Sequence, residues 1–262
     1  MDLGLGGLVA LVTASSKGLG RATALQLARE GARVAICARH TDALHATRDE
    51  IAASGAEVLA LPVDLTSYDA ATTLVDAVLD RFGRLDLLVT NAGGPPPGGF
   101  MALDEAAWEQ AIQLTLMSFV RLCYAAVPAL RTSAQGSILA LTSVSVKQPL
   151  SNLVFSNSLR LAVTGIVKSL ADELAGDGIR VNAICPGWTR TDRVEQLLVD
   201  RARRSGTSVE EEASAIAAAV PLGRMGTPEE FARAAAFLLS PAASYITGGS
   251  LLVDGGMYRG VM

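Results

Sequence analysis

Short apolar segments alternate with segments of helical spacing along almost the whole chain, and this alternation limits the possible folds to a small group. The predicted strands are residues 8–12, 33–37, 57–62, 85–89, 137–141, 180–185 and 250–253. The predicted helices are residues 21–30, 42–54, 68–82, 104–131, 152–175 and 228–239, with further helical segments between 192 and 220. Near-continuous apolar strands are typical of a parallel sheet covered on both faces, and right-handed crossovers make such a sheet doubly wound. We therefore predict a single α/β domain on a doubly wound parallel sheet, with its ligand site at the carboxyl ends of the strands.

Composition excludes several classes of protein. Half of the 262 residues are apolar and 18% are charged, which is unlike a disordered chain. The net charge of −4 lacks the basic excess of a protein that binds nucleic acid or an anionic membrane. The apolar runs reach about a dozen residues, fewer than the ~20 that span a bilayer. Nucleic acid and membrane are therefore not expected as partners.

The cysteines and histidines indicate the compartment and argue against a metal site. Cys37, Cys123 and Cys185 lie in apolar segments without the spacing of metal ligands, as expected of buried thiols in a reducing cytoplasm. His40 and His45 also lack metal-ligand spacing. We predict a cytoplasmic protein without a bound metal.

Glycines follow the first predicted strand, where a helix begins. The segment 13–20, called the glycine loop below, reads Thr-Ala-Ser-Ser-Lys-Gly-Leu-Gly. Gly18 and Gly20 allow the backbone to turn tightly and to approach a pyrophosphate at the helix N-terminus. A strand, a glycine-rich turn and a helix in this order predict a dinucleotide site.

The glycine loop resembles the TGxxxGxG segment of the short-chain dehydrogenase/reductase family, with Ala14 at the first glycine. The resemblance continues in order, at family spacing, through Asp64-Leu65, Asn91-Ala92-Gly93, residues 179–187 and residues 246–256. It implies one Rossmann-type domain over residues 1–262, with seven parallel strands and a substrate lid at about 190–222. It also implies NAD(H) or NADP(H) as cofactor, a homotetramer or homodimer, and a likeness to the 3-oxoacyl-carrier-protein reductases. The methyl group of Ala14 fits if the backbone keeps a negative φ, and otherwise shifts the loop and weakens cofactor binding.

The resemblance also implies which residues bind the dinucleotide. They are Thr13, Ser15, Ser16, Lys17, Gly18, Leu19, Gly20, Arg39, His40, Asp64, Leu65, Asn91, Ala92, Gly93, Arg160, Pro186, Gly187, Thr189 and Thr191. Sites specific for NAD place an acid after the second strand, whereas Arg39 and His40 stand here. Lys17 and Arg39 suit a 2′-phosphate, so we predict NADP(H) over NAD(H). The alternative is that both are solvated surface charges.

Three of the four catalytic positions of the family are changed in this chain. The family uses a Ser, a Tyr-xxx-Lys pair and a supporting Asn; Ser143 matches the first, but Ser156, Arg160 and Thr115 stand at the others. A serine hydroxyl is far less acidic than a phenol, and arginine stays protonated. Arg160 can still hold ribose hydroxyls or stabilise an oxyanion.

Another group must therefore supply the proton if the site reduces a carbonyl. Lys147, on the loop after Ser143, is one candidate, because partial burial beside Arg160 would lower its pKa. The alternatives are a solvated Lys147 and a water held by Ser143 and Arg160. Two functions remain open at this point. One is an NADP(H)-dependent carbonyl reductase or alcohol dehydrogenase acting on a small molecule. The other is a dinucleotide-binding sensor or scaffold without hydride transfer.

Overall fold

A parallel sheet of seven strands forms the centre of the computed structural model, which describes residues 2–261. The strands are β1 (Val9–Val12), β2 (Arg33–Ala38), β3 (Val58–Pro62), β4 (Leu87–Thr90), β5 (Ser137–Leu141), β6 (Arg180–Pro186) and β7 (Ser250–Val253). Their order in the sheet is β3-β2-β1-β4-β5-β6-β7, and every paired strand is parallel to its neighbour. The order reverses between β1 and β4, where doubly wound sheets bind their ligands. The predicted fold class is confirmed.

The helices lie on both faces of the sheet and follow the predicted alternation. They are α1 (Gly18–Arg29), α2 (Thr41–Ala53), α3 (Ala70–Phe82), α4 (Glu105–Ala111), α5 (Ser118–Leu130), α6 (Val154–Glu173), α7 (Asp192–Ser205), α8 (Val209–Ala219) and α9 (Pro228–Leu239). Val9 and Leu11 of β1 pack with α3, α5 and α6, whereas Ala10 and Val12 pack with α1, α2 and α9. Both sides of β1 are thus buried, which explains its continuous apolar sequence.

The helix predicted over 104–131 is interrupted. A π-helical turn, Ile112–Met117, separates α4 from α5. By length and composition the run Glu105–Leu130 could cross a membrane, but in this fold Phe119 and Leu122 are buried in the core beside the sheet.

The region predicted as a lid forms its own small unit. Helices α7 and α8 are joined through Gly206, which is in the left-handed conformation with φ 69°. Leu198 and Ile216 of these helices pack with Met225 in a separate apolar cluster. The N-terminus of α7 faces the carboxyl ends of the strands, so this unit borders the site described next.

Candidate active site

A cavity of about 500 Å³ opens at the carboxyl ends of the strands. The segments after β1, β2, β3, β4, β5 and β6 line it, as the parallel topology requires, and α6 and α7 contribute further residues. The predicted site residues that line it are Ser16, Lys17, Gly18, Leu19, Arg39, His40, Asp64, Leu65, Asn91, Ala92, Gly93, Ser143, Ser156, Arg160, Pro186, Gly187, Thr189 and Thr191. The nucleotide end and the catalytic end predicted from the sequence therefore belong to one continuous cavity.

Thr13, Ser15 and Gly20 do not line this cavity, although each was expected to contact a dinucleotide. Thr13 Oγ1 donates to Asn91 O at 2.7 Å and accepts from Asn91 N at 2.8 Å, which ties the glycine loop to the end of β4. Ser15 Oγ donates to Val12 O at 2.8 Å and accepts from the amide N of residue 37 at 3.2 Å. Both hydroxyl groups are used inside the protein, so these two residues position the loop.

Gly20 allows close packing within the glycine loop. A Cβ atom on Gly20 would lie 2.5 Å from Ala14 O and 2.7 Å from Asn91 Nδ2. Asn91 Nδ2 donates to Ala14 O at 3.1 Å, so a larger residue at position 20 would break this contact. Ala14 itself has φ 46°, in the left-handed region that favours glycine. The methyl group of Ala14 was expected to fit if φ were negative, and this condition is not met.

The start of α1 presents free backbone donors to the cavity. Lys17 is the N-cap residue and no side chain caps this helix, so its first N–H groups are available to a ligand. Lys17 Nζ lies 3.6 Å from Asp192 Oδ2, and both side chains are about two-thirds exposed. A Cβ atom on Gly18 would lie 3.5 Å from Thr191 Cγ2, which places Thr191 beside the loop. Free N–H groups at a helix N-terminus are an arrangement that suits an anion.

Arg39 and His40 are exposed at the far end of the cavity, near Asp64. Asp64 Oδ1 accepts hydrogen bonds from Thr66 N at 3.0 Å and Thr66 Oγ1 at 2.8 Å. These bonds, with the charge of Arg39, lower the pKa of Asp64 against the opposing effect of burial. Arg39 has no ion-pair partner among residues 2–261, so its guanidinium is available to a ligand phosphate.

Ser143 lies at the other end, directly after β5. Its Oγ accepts a hydrogen bond from Ser145 N at 3.1 Å, which leaves the hydroxyl hydrogen free to donate to a ligand. Ser156 lies in the first turn of α6 and lines the same part of the cavity. Ser143 and Ser156 therefore both line the cavity, and their catalytic roles stay a prediction.

Arg160 is held against the end of β5. Its Nη1 donates to Leu141 O at 2.9 Å and Thr142 O at 3.3 Å. Burial and the nearby charge of Arg193 lower the pKa of Arg160 to about 10. It therefore remains protonated at neutral pH and acts as a fixed positive charge.

Lys147 is exposed and does not line the cavity. The partial burial beside Arg160 that made it a candidate acid is not found, because the short helical turn Val144–Val146 ends there at the surface. The geometry of the site gives this assignment no support.

Thr115 lies in the π-helical turn and is buried. Its Oγ1 has no hydrogen-bond partner in the structure. It borders a small cavity of about 20 Å³ that Arg160 also lines, and this volume is enough for one water molecule.

Sequence reasoning missed Arg193, in the first turn of α7. Its Nη2 donates to Pro95 O at 2.6 Å, and it lines the cavity together with Arg160. Burial lowers the pKa of Arg193. The sequence did contain a signal for this residue, because Arg193 is a cation two residues after Thr191, in a segment already assigned to the site.

Comparisons with known proteins identify the family to which this chain belongs. A family model described as enoyl-(acyl carrier protein) reductase matches residues 13–258. The chain is 34% identical to the 3-oxoacyl-[acyl-carrier-protein] reductase FabG of Vibrio cholerae, over 98% of this chain and 99% of that protein. The chain belongs to the short-chain dehydrogenase/reductase family.

Other members of this family are similar over nearly the whole chain. The 7alpha-hydroxysteroid dehydrogenase of Escherichia coli K12 is 32% identical over 97% of this chain and 96% of its own length. L-sorbose reductase from Gluconobacter frateurii, solved with NADPH and L-sorbose, superimposes with a TM-score of 0.94 at 33% identity, with both chains fully covered. The similarity to oxidoreductases of the short-chain dehydrogenase/reductase family therefore extends over nearly all of this chain.

In this short-chain dehydrogenase/reductase, Ser143, Ser156 and Arg160 line one cavity. Among the cavity-lining residues that the structure describes there is no tyrosine. Residues 2–261 also contain no cluster of three or more His, Cys, Asp or Glu side chains that could hold a metal ion.

Proposed function

We propose that the protein is an NADP(H)-dependent carbonyl reductase or alcohol dehydrogenase in which water, not a phenol, exchanges the proton. The single observation that supports this is the continuity of one cavity from the uncapped N-terminus of α1 to Ser143 and Arg160. A dinucleotide fits these residues, because free helix N–H groups suit a pyrophosphate and Arg39 suits a 2′-phosphate. When bound, the reduced dinucleotide supplies a hydride to a carbonyl carbon.

The residues of the chain would handle the carbonyl oxygen. The hydroxyl of Ser143 donates a hydrogen bond to it, since Ser143 Oγ already accepts from Ser145 N. The protonated Arg160 stabilises the negative charge that develops on this oxygen. Neither Ser156 nor Arg160 releases a proton readily at neutral pH, so the oxygen takes its proton from water.

The cofactor preference is tested by the dissociation constants of NADPH and NADH. We expect NADPH to bind more tightly, and Arg39→Gln to weaken NADPH binding by about 10- to 100-fold because one charge-assisted contact is lost. NADH binding should change little. Arg48→Gln is the matched control, because Arg48 is an exposed arginine of α2 outside the cavity. Tighter binding of NADH by the native protein would contradict the proposal.

The second candidate function is dinucleotide binding without hydride transfer, and the serine at position 156 favours it. NADPH oxidation is measured against a panel of ketones and 3-oxoacyl thioesters, and we expect turnover by the native protein. Clear NADPH binding without turnover would select the second function. The double substitution Ser156→Tyr with Arg160→Lys then gives a check, because new activity would show that only the proton donor was missing.

We also assign the protein to the cytoplasm. Its cysteines at positions 37, 123 and 185 are free and buried, as expected in a reducing compartment.

A further inference from the structure

Two arginines, Arg160 and Arg193, line the cavity that also contains Ser143 and Ser156. The charged or ionisable residues that line the cavity are Lys17, Arg39, His40, Asp64, Arg160, Asp192 and Arg193. The two acids, Asp64 and Asp192, belong to the nucleotide end. Asp64 is hydrogen-bonded to Thr66, and Asp192 faces Lys17. Among the described cavity-lining residues this leaves Arg160 and Arg193 as the charges without a carboxylate partner outside the nucleotide end.

Arg193 extends from α7 to the loop after β4 and lines the cavity. Its Nη2 donates to Pro95 O in the loop after β4, and no carboxylate forms an ion pair with it among residues 2–261. Asp200, whose charge acts on it at longer range, pairs with Arg203 at 2.7 Å. The remaining N–H groups of Arg193 are therefore free to bind a ligand.

The loop after β4 is shaped to receive this side chain. A Cβ atom on Gly94 would lie 2.5 Å from Arg193 Nε and 2.9 Å from its Cζ, so glycine leaves the space that the guanidinium occupies. The same loop is tied to the start of α6, because Gly98 N donates to Asn152 O at 2.8 Å. The guanidinium is thus held between α7 and the wall of the cavity.

Arg160 and Arg193 are both partly buried, and neither forms an ion pair with a carboxylate among residues 2–261. Arg193 is near enough for its charge to lower the pKa of Arg160, and burial lowers the pKa of both. Desolvated like charges are unfavourable unless a negative group compensates them. Two acids of α7, Asp192 and Asp200, face Lys17 and Arg203 instead, so a ligand is the group left to compensate the two arginines.

The geometry points to a substrate that carries a carboxylate beside its carbonyl or hydroxyl group, with the carboxylate held by Arg193 and the carbonyl or hydroxyl oxygen by Arg160. The planar guanidinium of Arg193 matches a carboxylate with two parallel hydrogen bonds, which a neutral ketone or thioester cannot form. The substrate class is then an oxo acid or the corresponding hydroxy acid. This inference rests on the proposed function, since it names the substrate of the same site.

The pyrophosphate of the dinucleotide is the competing ligand for Arg193. The pyrophosphate position is set by Gly18 and the free N–H groups of α1, next to Lys17. Arg193 instead donates to Pro95 O in the loop after β4, and its charge acts on Arg160, which is bound to the end of β5. The substrate carboxylate is therefore the better match.

The test compares acids with their neutral esters. The dissociation constants of 2-oxohexanoate, 3-oxohexanoate and their methyl esters are measured by calorimetry, with and without saturating NADPH. We expect the native protein to bind an acid at least about tenfold more tightly than its ester, because charge-assisted hydrogen bonds are lost in the ester. Arg193→Gln should bring this ratio to about one without changing the dissociation constant of NADPH.

Arg190→Gln is the matched control, because it removes an exposed arginine three residues away that does not line the cavity, and it should preserve the ratio. Equal binding of acids and esters by the native protein, or an unchanged ratio in Arg193→Gln, would overturn the inference. An equally large loss of NADPH affinity would also overturn it, by assigning Arg193 to the pyrophosphate. Failure of the native protein to bind NADPH refutes the proposed function, while the titration without NADPH still tests the charge preference.

Discussion

Ala14 is the residue whose conformation conflicts most clearly with its side chain. Its φ of 46° places a β-carbon in the left-handed region, which costs about 1 kcal/mol or more in a non-glycine residue. The hydrogen bond from Asn91 Nδ2 to Ala14 O, at 3.1 Å, keeps the backbone there. The conflict lies in the glycine loop, where a dinucleotide would bind.

We expect Ala14→Gly to raise the free energy of unfolding by about 1 kcal/mol, because glycine adopts this φ without strain. Urea denaturation measures the change. Ala52→Gly is the matched control, since it makes the same substitution at an exposed position of α2 with a negative φ, and it should lower stability by up to about 1 kcal/mol. Equal destabilisation by both substitutions would show that Ala14 is not strained.

At the scale of elements, Asp86 connects segments at the amino ends of the strands, opposite to the ends that form the cavity. Its side chain is fully buried and accepts hydrogen bonds from Val9 N at 2.8 Å, from Arg84 and from Ser133. Burial alone would raise the pKa of Asp86, but these hydrogen bonds outweigh it and hold the pKa below its usual value. One carboxylate therefore fastens β1 and the segments before β4 and β5.

We expect Asp86→Ala to lower the free energy of unfolding by about 3 kcal/mol, because it leaves a buried amide and a guanidinium without their acceptor. The depressed pKa means that this contribution is complete above about pH 5 and is lost as the pH falls below about 4. Denaturation between pH 3 and pH 7 measures both effects. Asp177→Ala, which breaks an exposed ion pair with Arg131, should cost less than about 1 kcal/mol. A similar loss for both variants would refute the assigned role of Asp86.

At the scale of the whole molecule, apolar side chains on α5 and α6 predict an association surface. Tyr124 is 80% exposed and Leu161 is 52% exposed, although both helices pack on the core through their other faces. The family resemblance implies a homotetramer or homodimer, and these two side chains suit an interface between subunits.

We expect the native protein to sediment as an oligomer of its 27.1 kDa chain and Leu161→Glu to sediment as a smaller species, because a buried charge disrupts the interface. Val199→Glu places the same charge at a position of α7 that is 48% exposed and should leave the mass unchanged. An unchanged mass for Leu161→Glu would place the interface elsewhere.

Local patterns in the sequence were sufficient for the architecture. The strands at Ser137–Leu141 and Ser250–Val253 and the helix at Pro228–Leu239 have the predicted boundaries, because apolar runs and helix caps act within a few residues. The π-helical turn at Ile112–Met117 was not predicted, since its apolar spacing resembles that of the flanking helices.

The sequence by itself determined the fold and which segments meet at the cavity, because the ends of parallel strands gather at one edge of the sheet. Only the tertiary structure decided which side chains face a ligand. Thr13 and Ser15 turn inward because neighbouring backbone groups take up their hydroxyls, and Lys147 stays in solvent. Arg193 enters the cavity because a loop from a distant part of the chain offers it Pro95 O and the space beside a glycine. Such contacts depend on side-chain directions and loop shapes that are set by distant residues. Periodicity and spacing in the sequence contain no information about these.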